Sequence, residues 1–190
     1  MGSSNSSLSV LTEDILEEYT ILTYLSKAEI LNLYKIFSAL DEKGVLQNLH
    51  YRFPCYVVEH YFSTVVTFNP LKDRIFNVFS SHKDGKLSFE DMLDLCSVMS
   101  DKCPEKVKAA WAFRIYDFDD DDAVGEDDLI EVINRLTGSA GQIDIEHQKR
   151  IIKILLEEMD LASNGSVGQL EFVHAVGKMS EFPHSFCFHV

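Results

Sequence analysis

Asp117, Asp119 and Asp121 alternate along the chain, and Asp128 closes the same stretch. Carboxylate oxygens at this spacing suit one kind of chemistry: they wrap a hard cation, which takes oxygen ligands in preference to nitrogen or sulfur. Asp120, Asp122, Glu126 and Asp127 crowd the same segment. So many like charges repel one another unless something neutralises them, and the plain alternative to a bound ion is a solvated acidic turn.

The stretch is not alone. "DFDDDDAVGEDD" (Asp117–Asp128), "DLASNGSVGQLE" (Asp160–Glu171) and "SSHKDGKLSFED" (Ser80–Asp91) are each twelve residues long, with Val124, Val167 and Leu87 at the eighth position. Their starts lie roughly forty residues apart, the mark of a repeated supersecondary unit. A helix–loop–helix hand of the EF type ligates through side chains at positions 1, 3, 5 and 12 and the carbonyl of 7, with a sharp turn at 6.

By that rule the acidic loop offers Asp117, Asp119, Asp121, the Ala123 carbonyl and Asp128. Aspartate at position 12 is a methylene shorter than the usual glutamate. It favours six oxygens, which suits Mg²⁺ at least as well as Ca²⁺. Position 6 is Asp122, which must take a positive φ at a cost of ~1 kcal/mol. The last loop has Asp160, Asn164, Gly165 and Glu171 at positions 1, 5, 6 and 12, but Ala162 removes a ligand at position 3. The Ser80 loop has His82 at position 3 beside Asp84 and Asp91, a set that suits a scaffold better than Ca²⁺. A fourth copy is expected from Ala39, with Gly44 at position 6, Leu46 at 8 and His50 at 12, and no ion.

Helices must position these loops. "SKAE" (Ser26–Glu29) is a capping box opening a helix to about Leu40, with Ile30, Leu33, Tyr34 and Phe37 on one stripe. "NPLKDRIFNVF" starts another behind Pro70, and "SFED" (Ser88–Asp91) opens one to about Met99. Further helices are expected from Pro104 to Tyr116 and over about 126–136, 145–159 and 168–178. The fold class is therefore all-α: four EF-hand helix–loop–helix units in two pairs, tied by short strands at position 8. The organisation expected is an N-terminal segment (1–20), a non-binding pair (21–101), a cation-binding pair (102–181) and an apolar tail (182–190).

The formal net charge of -14 argues against a nucleic-acid partner, which needs clustered Lys and Arg. Cys55, Cys96, Cys103 and Cys187 form no C-x-x-C pair and read as free thiols. No apolar run reaches the ~20 residues that span a bilayer. At the N-terminus, "MGSSNS" places Gly2 and Ser6 at the positions that N-myristoylation prefers, the alternative being a Ser-rich terminus with no modification. One acyl chain binds membranes only marginally, so a second contact would be needed. Scattered histidines and the lack of a phosphate loop or nucleophile elbow give no enzyme signature.

"NPLKDRI", "LSFEDMLDLCSVMSD", "AFRIYDFDDDD", "NRLTG" and the ending "SEFPHSFCFHV" together resemble the calcium- and integrin-binding protein family over almost the whole chain. The resemblance implies two inactive N-terminal hands and cation sites in the last two. It carries Asp117, Asp119, Asp121, Ala123 and Asp128 to the third hand, and Asp160, Asn164, Ser166 and Glu171 to the fourth. It departs at Asp122, where the family commonly has Gly, and at Ala162, where it has Asp; both put calcium responsiveness in question. It further implies binding of amphipathic helices from cytoplasmic segments of membrane proteins, including integrin α tails and transmembrane channel-like mechanotransduction channels. The localisation implied is cytoplasmic, at the inner face of the plasma membrane.

Paired hands present an apolar groove for such a helix. Candidate lining residues are Met92, Leu95, Met99, Trp111, Phe113, Ile133, Ile152, Leu156, Phe172 and Val176, with Met179 as an adaptable thioether; ordinary core is the competing assignment. The aromatic tail, Phe182, Phe186 and Phe188, is expected to dock and to plug the groove until a partner displaces it. Two other functions fit the same hands: a calcineurin B-like regulatory subunit of an enzyme, and a calcium buffer.

Overall fold

The structure is a computed structural model that describes residues 10–41, 48–62, 68–138, 141 and 143–186. Gly2, Gly44, Leu46, Cys187 and Phe188 lie outside the described residues. The fold is all-helical with only two-residue strands, as the periodicity predicts. In order the elements are α1 (Glu13–Leu22), α2 (Lys27–Ala39), β1 (Phe53–Pro54), α3 (Cys55–Glu59), α4 (Lys72–Phe79), β2 (Lys86–Leu87) and α5 (Phe89–Met99). Then follow α6 (Glu105–Tyr116), β3 (Ala123–Val124), α7 (Glu126–Thr137), α8 (Ile145–Met159), β4 (Val167–Gly168), α9 (Gln169–Val176) and α10 (Phe182–Ser185).

The chain divides into two units. One takes the described residues up to Asn69 and Ile75–Cys103; the other takes Pro70–Arg74 and Pro104–Phe186. In the first, Ile30, Leu33 and Phe37 from α2 meet Phe89, Met92 and Leu93 from α5, all essentially fully buried. Side chains of this size each contribute about 1.5–3 kcal/mol on burial. Phe37 and Phe53 meet edge to face at 5.0 Å, as do Tyr34 and Phe89 at 5.7 Å. The capping boxes at Ser26 and Ser88 both form: each serine hydroxyl takes the backbone N–H of the third helical residue, and Glu29 or Asp91 returns to the serine N–H.

In the second unit, Ala109, Ala112 and Phe113 of α6 pack with Val124, Val167, Phe172 and Val176. The position-8 strands pair antiparallel, Val124 opposite Val167 and Leu87 opposite Phe53. Leu87 pairs with Phe53, and the Leu46 expected at position 8 of the fourth copy lies outside the described residues. The Phe53 ring meets the buried Phe37, and the strand runs directly into α3. Helix α1 has no counterpart in the periodicity reading. Thr12 caps it by accepting from the Ile15 N–H, but it buries only Leu16, too thin a stripe to register as an apolar pattern.

Candidate functional site

Backbone geometry makes the three loops alike. Positions 4 and 6 take positive φ in each: Lys83 (49°) and Gly85 (70°), Asp120 (59°) and Asp122 (66°), Ser163 (55°) and Gly165 (91°). Asp122 thus adopts the left-handed turn that a glycine would take more cheaply. In the third and fourth loops the carboxylate at position 1 collects the backbone N–H groups that this turn aims inward. Asp117 accepts from Asp121 and Asp122, both at 3.1 Å; Asp160 accepts from Asn164 at 3.2 Å and Gly165 at 2.8 Å.

The α6–α7 loop brings together Asp117, Asp119 and Asp128, with one carboxylate oxygen of each within 4.8 Å of the others. Asp117 is 3% exposed and Asp128 5%. Burial raises the Asp117 pKa against the pull of its two N–H donors, and the neighbouring Asp128 and Asp121 charges push the same way. Asp121 turns to the Ala123 N–H at 2.9 Å. Asp128 serves two duties: Oδ2 accepts from Gly125 at 2.9 Å, capping α7, and Oδ1 accepts from Phe118 at 2.7 Å. Hard oxygens clustered around a buried position 1 fit a divalent cation.

The fourth loop shows what the missing ligand does. Glu171 caps Gly168 through Oε2 at 2.9 Å and takes the Ala162 N–H through Oε1 at 2.8 Å. Its extra methylene reaches position 3, where Asp128 reaches only position 2. Asn164 accepts from the Ser166 N–H at 3.1 Å. Among the described residues, the cluster of three acidic groups forms in the third loop and not in the fourth.

Two basic residues matter that sequence reasoning missed. Arg74, 6% exposed in the first turn of α4, donates from Nη2 to the Arg114 carbonyl at 2.9 Å, to the Asp117 carbonyl and to Asp120. It therefore pins the entry of the third loop without touching the candidate ligand oxygens. Nothing local in the sequence points to it, because its acceptors lie far along the chain. Lys108, 1% exposed, donates from Nζ to the carbonyls of Phe186 at 3.0 Å and Pro183 at 3.3 Å. A signal for Lys108 exists: it sits one helical turn before Ala112, on the apolar stripe of α6.

The groove candidates fall into two sets. In the first unit Met92, Leu95 and Met99 are all core, which gives these thioethers no open surface. In the second, Phe113, Phe172 and Val176 are core, and Leu156, Phe182 and Phe186 pack against it. Ile133 and Ile152 are buried, Trp111 is half-buried under the Arg114 guanidinium at 4.6 Å, and Met179 is exposed. Ile152 and Leu156 floor a cleft of about 750 Å³ rimmed by Glu126, Lys149, Lys153 and Asp160. A second cleft, of about 830 Å³, opens in the first unit between α1, the segment around Leu49 and α5. Sequence reasoning did not find it, because α1 forms one wall.

Comparison with known proteins agrees with this architecture. An EF-hand domain pair matches residues 106–177. "Calcium and integrin-binding family member 2" from Drosophila melanogaster is 32% identical over 181 residues, covering 92% of this chain and 94% of the relative. The human protein of the same name is 32% identical over 182 residues, covering 93% and 95%, and the zebrafish one 27% identical over 181 residues, covering 93% and 95%. The chain belongs to the calcium and integrin-binding family. Calcium binding follows for the family through its EF-hands, and its members are named for calcium and integrin binding, not for catalysis. Among the described residues, no helix is long and apolar enough to cross a membrane.

Proposed function

We propose that the chain is an EF-hand adaptor or regulatory subunit that holds an amphipathic helix from the cytoplasmic part of a membrane protein. An integrin α tail and a transmembrane channel-like protein are the partner types. The helix occupies the apolar interior that Phe182 and Phe186 now cover, laying its own anchors against Phe113, Leu156, Phe172 and Val176. The observation that carries this reading is the tail itself. Its two rings stack on each other at 5.8 Å over the second-unit core, and Lys108 holds its carbonyls. A short aromatic segment held by a few bonds over an apolar core is a cover that a better-fitting helix can replace.

A divalent cation in the third hand, Ca²⁺ or Mg²⁺, would be held by Asp117, Asp119, Asp121, the Ala123 carbonyl and Asp128. It would neutralise the loop and fix α6 against α7. The fourth hand is the weaker site, through Asp160, Asn164, the Ser166 carbonyl and Glu171. Acylation at Gly2 would keep the adaptor at the inner face of the plasma membrane beside its partner.

The test uses a fluorescent peptide of the membrane-proximal integrin α cytoplasmic segment, titrated with the full chain and with a chain lacking residues 182–190. The proposal expects binding by both and tighter binding by the truncated chain. Failure of both to bind this peptide and a transmembrane channel-like peptide rejects it.

A further inference from the structure

The Ser80 loop has the shape of a loaded hand and keeps two carboxylates, Asp84 and Asp91, among its ligand positions. Its candidate ligands are Ser80 at position 1, Asp84 at 5, the Lys86 carbonyl at 7 and Asp91 at 12, while His82 at position 3 is exposed. All four converge on one side chain. Arg52 Nη2 donates to Lys86 O at 2.8 Å, to Asp84 Oδ1 at 2.9 Å and to Ser80 Oγ at 3.2 Å. Nη1 donates to Asp91 Oδ2 and Ser81 Oγ, both at 2.9 Å. The guanidinium thus sits where an ion would sit, and it touches the oxygens an ion would use.

The delivery is local and rigid. Arg52 directly precedes β1, and β1 pairs with β2, which carries Lys86. The strand pairing that ties the hands together therefore also fixes the Arg52 backbone beside the loop. The side chains of Arg52 and Asp91 are 13% and 4% exposed, so water competes little for this pairing. The loop keeps the same positive-φ turn at Lys83 and Gly85 as the third and fourth loops keep. Asp91 does what Asp128 does: Oδ2 caps Ser88 at 2.9 Å and Oδ1 takes the position-2 N–H of Ser81 at 3.3 Å.

We propose that Arg52 is the built-in cation of the second hand, holding it in the loaded shape and closing it to divalent ions. A guanidinium remains charged across the whole physiological range and its donors lie in one plane, so it satisfies several oxygens without leaving the chain. An entering ion would have to expel a tethered cation and then tolerate it nearby. The second hand is thereby a fixed scaffold for its neighbours, indifferent to cation concentration.

Removing the arginine should convert the loop into an ion-responsive one. The background is Asp117→Ala with Glu171→Ala, which silences the other two loops, and the test variant adds Arg52→Met, which keeps the apolar stem. Thermal unfolding is followed in EDTA and in CaCl₂ or MgCl₂. The background protein should unfold at the same temperature in all three. The Arg52→Met protein should unfold lower in EDTA and recover as Ca²⁺ is added, saturably. At about ten times its dissociation constant the gain is about 1.4 kcal/mol, several degrees. Adding Asp84→Asn should abolish that recovery. If Arg52→Met does not fold in EDTA, recovery of far-ultraviolet helicity on adding Ca²⁺ supports the proposal and continued unfolding overturns it. Two further results overturn it: unfolding unchanged in EDTA, or a fall that neither cation reverses, which would make Arg52 an ordinary surface anchor.

Discussion

Lys108→Met separates a tail that competes with a partner helix from one that merely completes the core. The substitution keeps most of the side-chain length, suits a helix interior, and removes the ammonium that donates to Phe186 O and Pro183 O. A hydrogen bond from a charged donor contributes about 1.5–3 kcal/mol net. The Pro183 bond is long at 3.3 Å, and a buried ammonium has a desolvation cost that methionine avoids, so about 2 kcal/mol is a fair weight for the pair. Docking of Phe182 and Phe186 weakens by that amount.

If the docked tail blocks the groove, apparent partner affinity is the intrinsic affinity scaled by the fraction of open molecules. Each 1.4 kcal/mol is a factor of ten, so Lys108→Met should tighten peptide binding by about ten- to thirty-fold. The gain cannot exceed that of deleting residues 182–190. Fluorescence anisotropy with the integrin α peptide, on the wild type, the variant, the truncated chain and the truncated variant, gives a complete cycle. The last two should bind alike, since Lys108 then has no tail to hold. An equal effect of Lys108→Met with and without the tail would refute the reasoning, because it would place the lysine in contact with the peptide instead.

Two other predictions follow from the hands and caps. Asp117→Asn should weaken Ca²⁺ and Mg²⁺ binding at the third hand by at least about tenfold through loss of a ligand charge, whereas Glu171→Gln should leave that binding step intact in calorimetry. Stability should also fall with acid. Glu29 is held down from its ordinary 4.5 to about 2, first by the Ser26 hydroxyl and then by Lys102. Asp84 is held down from 3.8 to about 2, first by Arg52. Both pKa values are lower in the folded state, so their contribution is complete above about pH 4.5 and is lost as pH falls toward 2. Urea midpoints measured from pH 6 to pH 2 should drop through that window, and Glu29→Gln should flatten the curve.

Much of the fold was legible because local chemistry dictates it. The capping serines, the position-8 aliphatics and the apolar stripes each act within a few residues, and the helices start within a residue or two of where those signals put them. Even the turn at Asp122 was readable, since position 6 of such a loop demands a positive φ. What escaped was set by distance in sequence. Phe53 pairs with Leu87 and its ring meets Phe37, contacts between residues far apart in the chain. Arg52 and Arg74 reach loops whose other residues lie some thirty to forty-six positions away. A guanidinium in a linker or first helical turn looks like surface charge until its acceptors are placed around it.

The loops also differ in a way that ligand counting alone does not capture. All three share the same turn, so backbone shape does not decide which one answers to an ion. What neutralises the carboxylates decides it. In the second loop Arg52 meets Asp84 and Asp91 directly. In the third, Arg74 meets Asp120 and a backbone carbonyl, and the three clustered carboxylates still face one another. In the fourth, Asp160 and Glu171 rest on backbone N–H groups and Ala162 leaves a gap between them. Unrelieved charge is greatest in the third loop, so that is where a cation releases the most repulsion on binding. Asp122 adds to that charge where a glycine would not. A residue that strains the turn thus also raises the local field that would attract the proposed cation, which favours the third hand as its site despite the departure from the usual pattern.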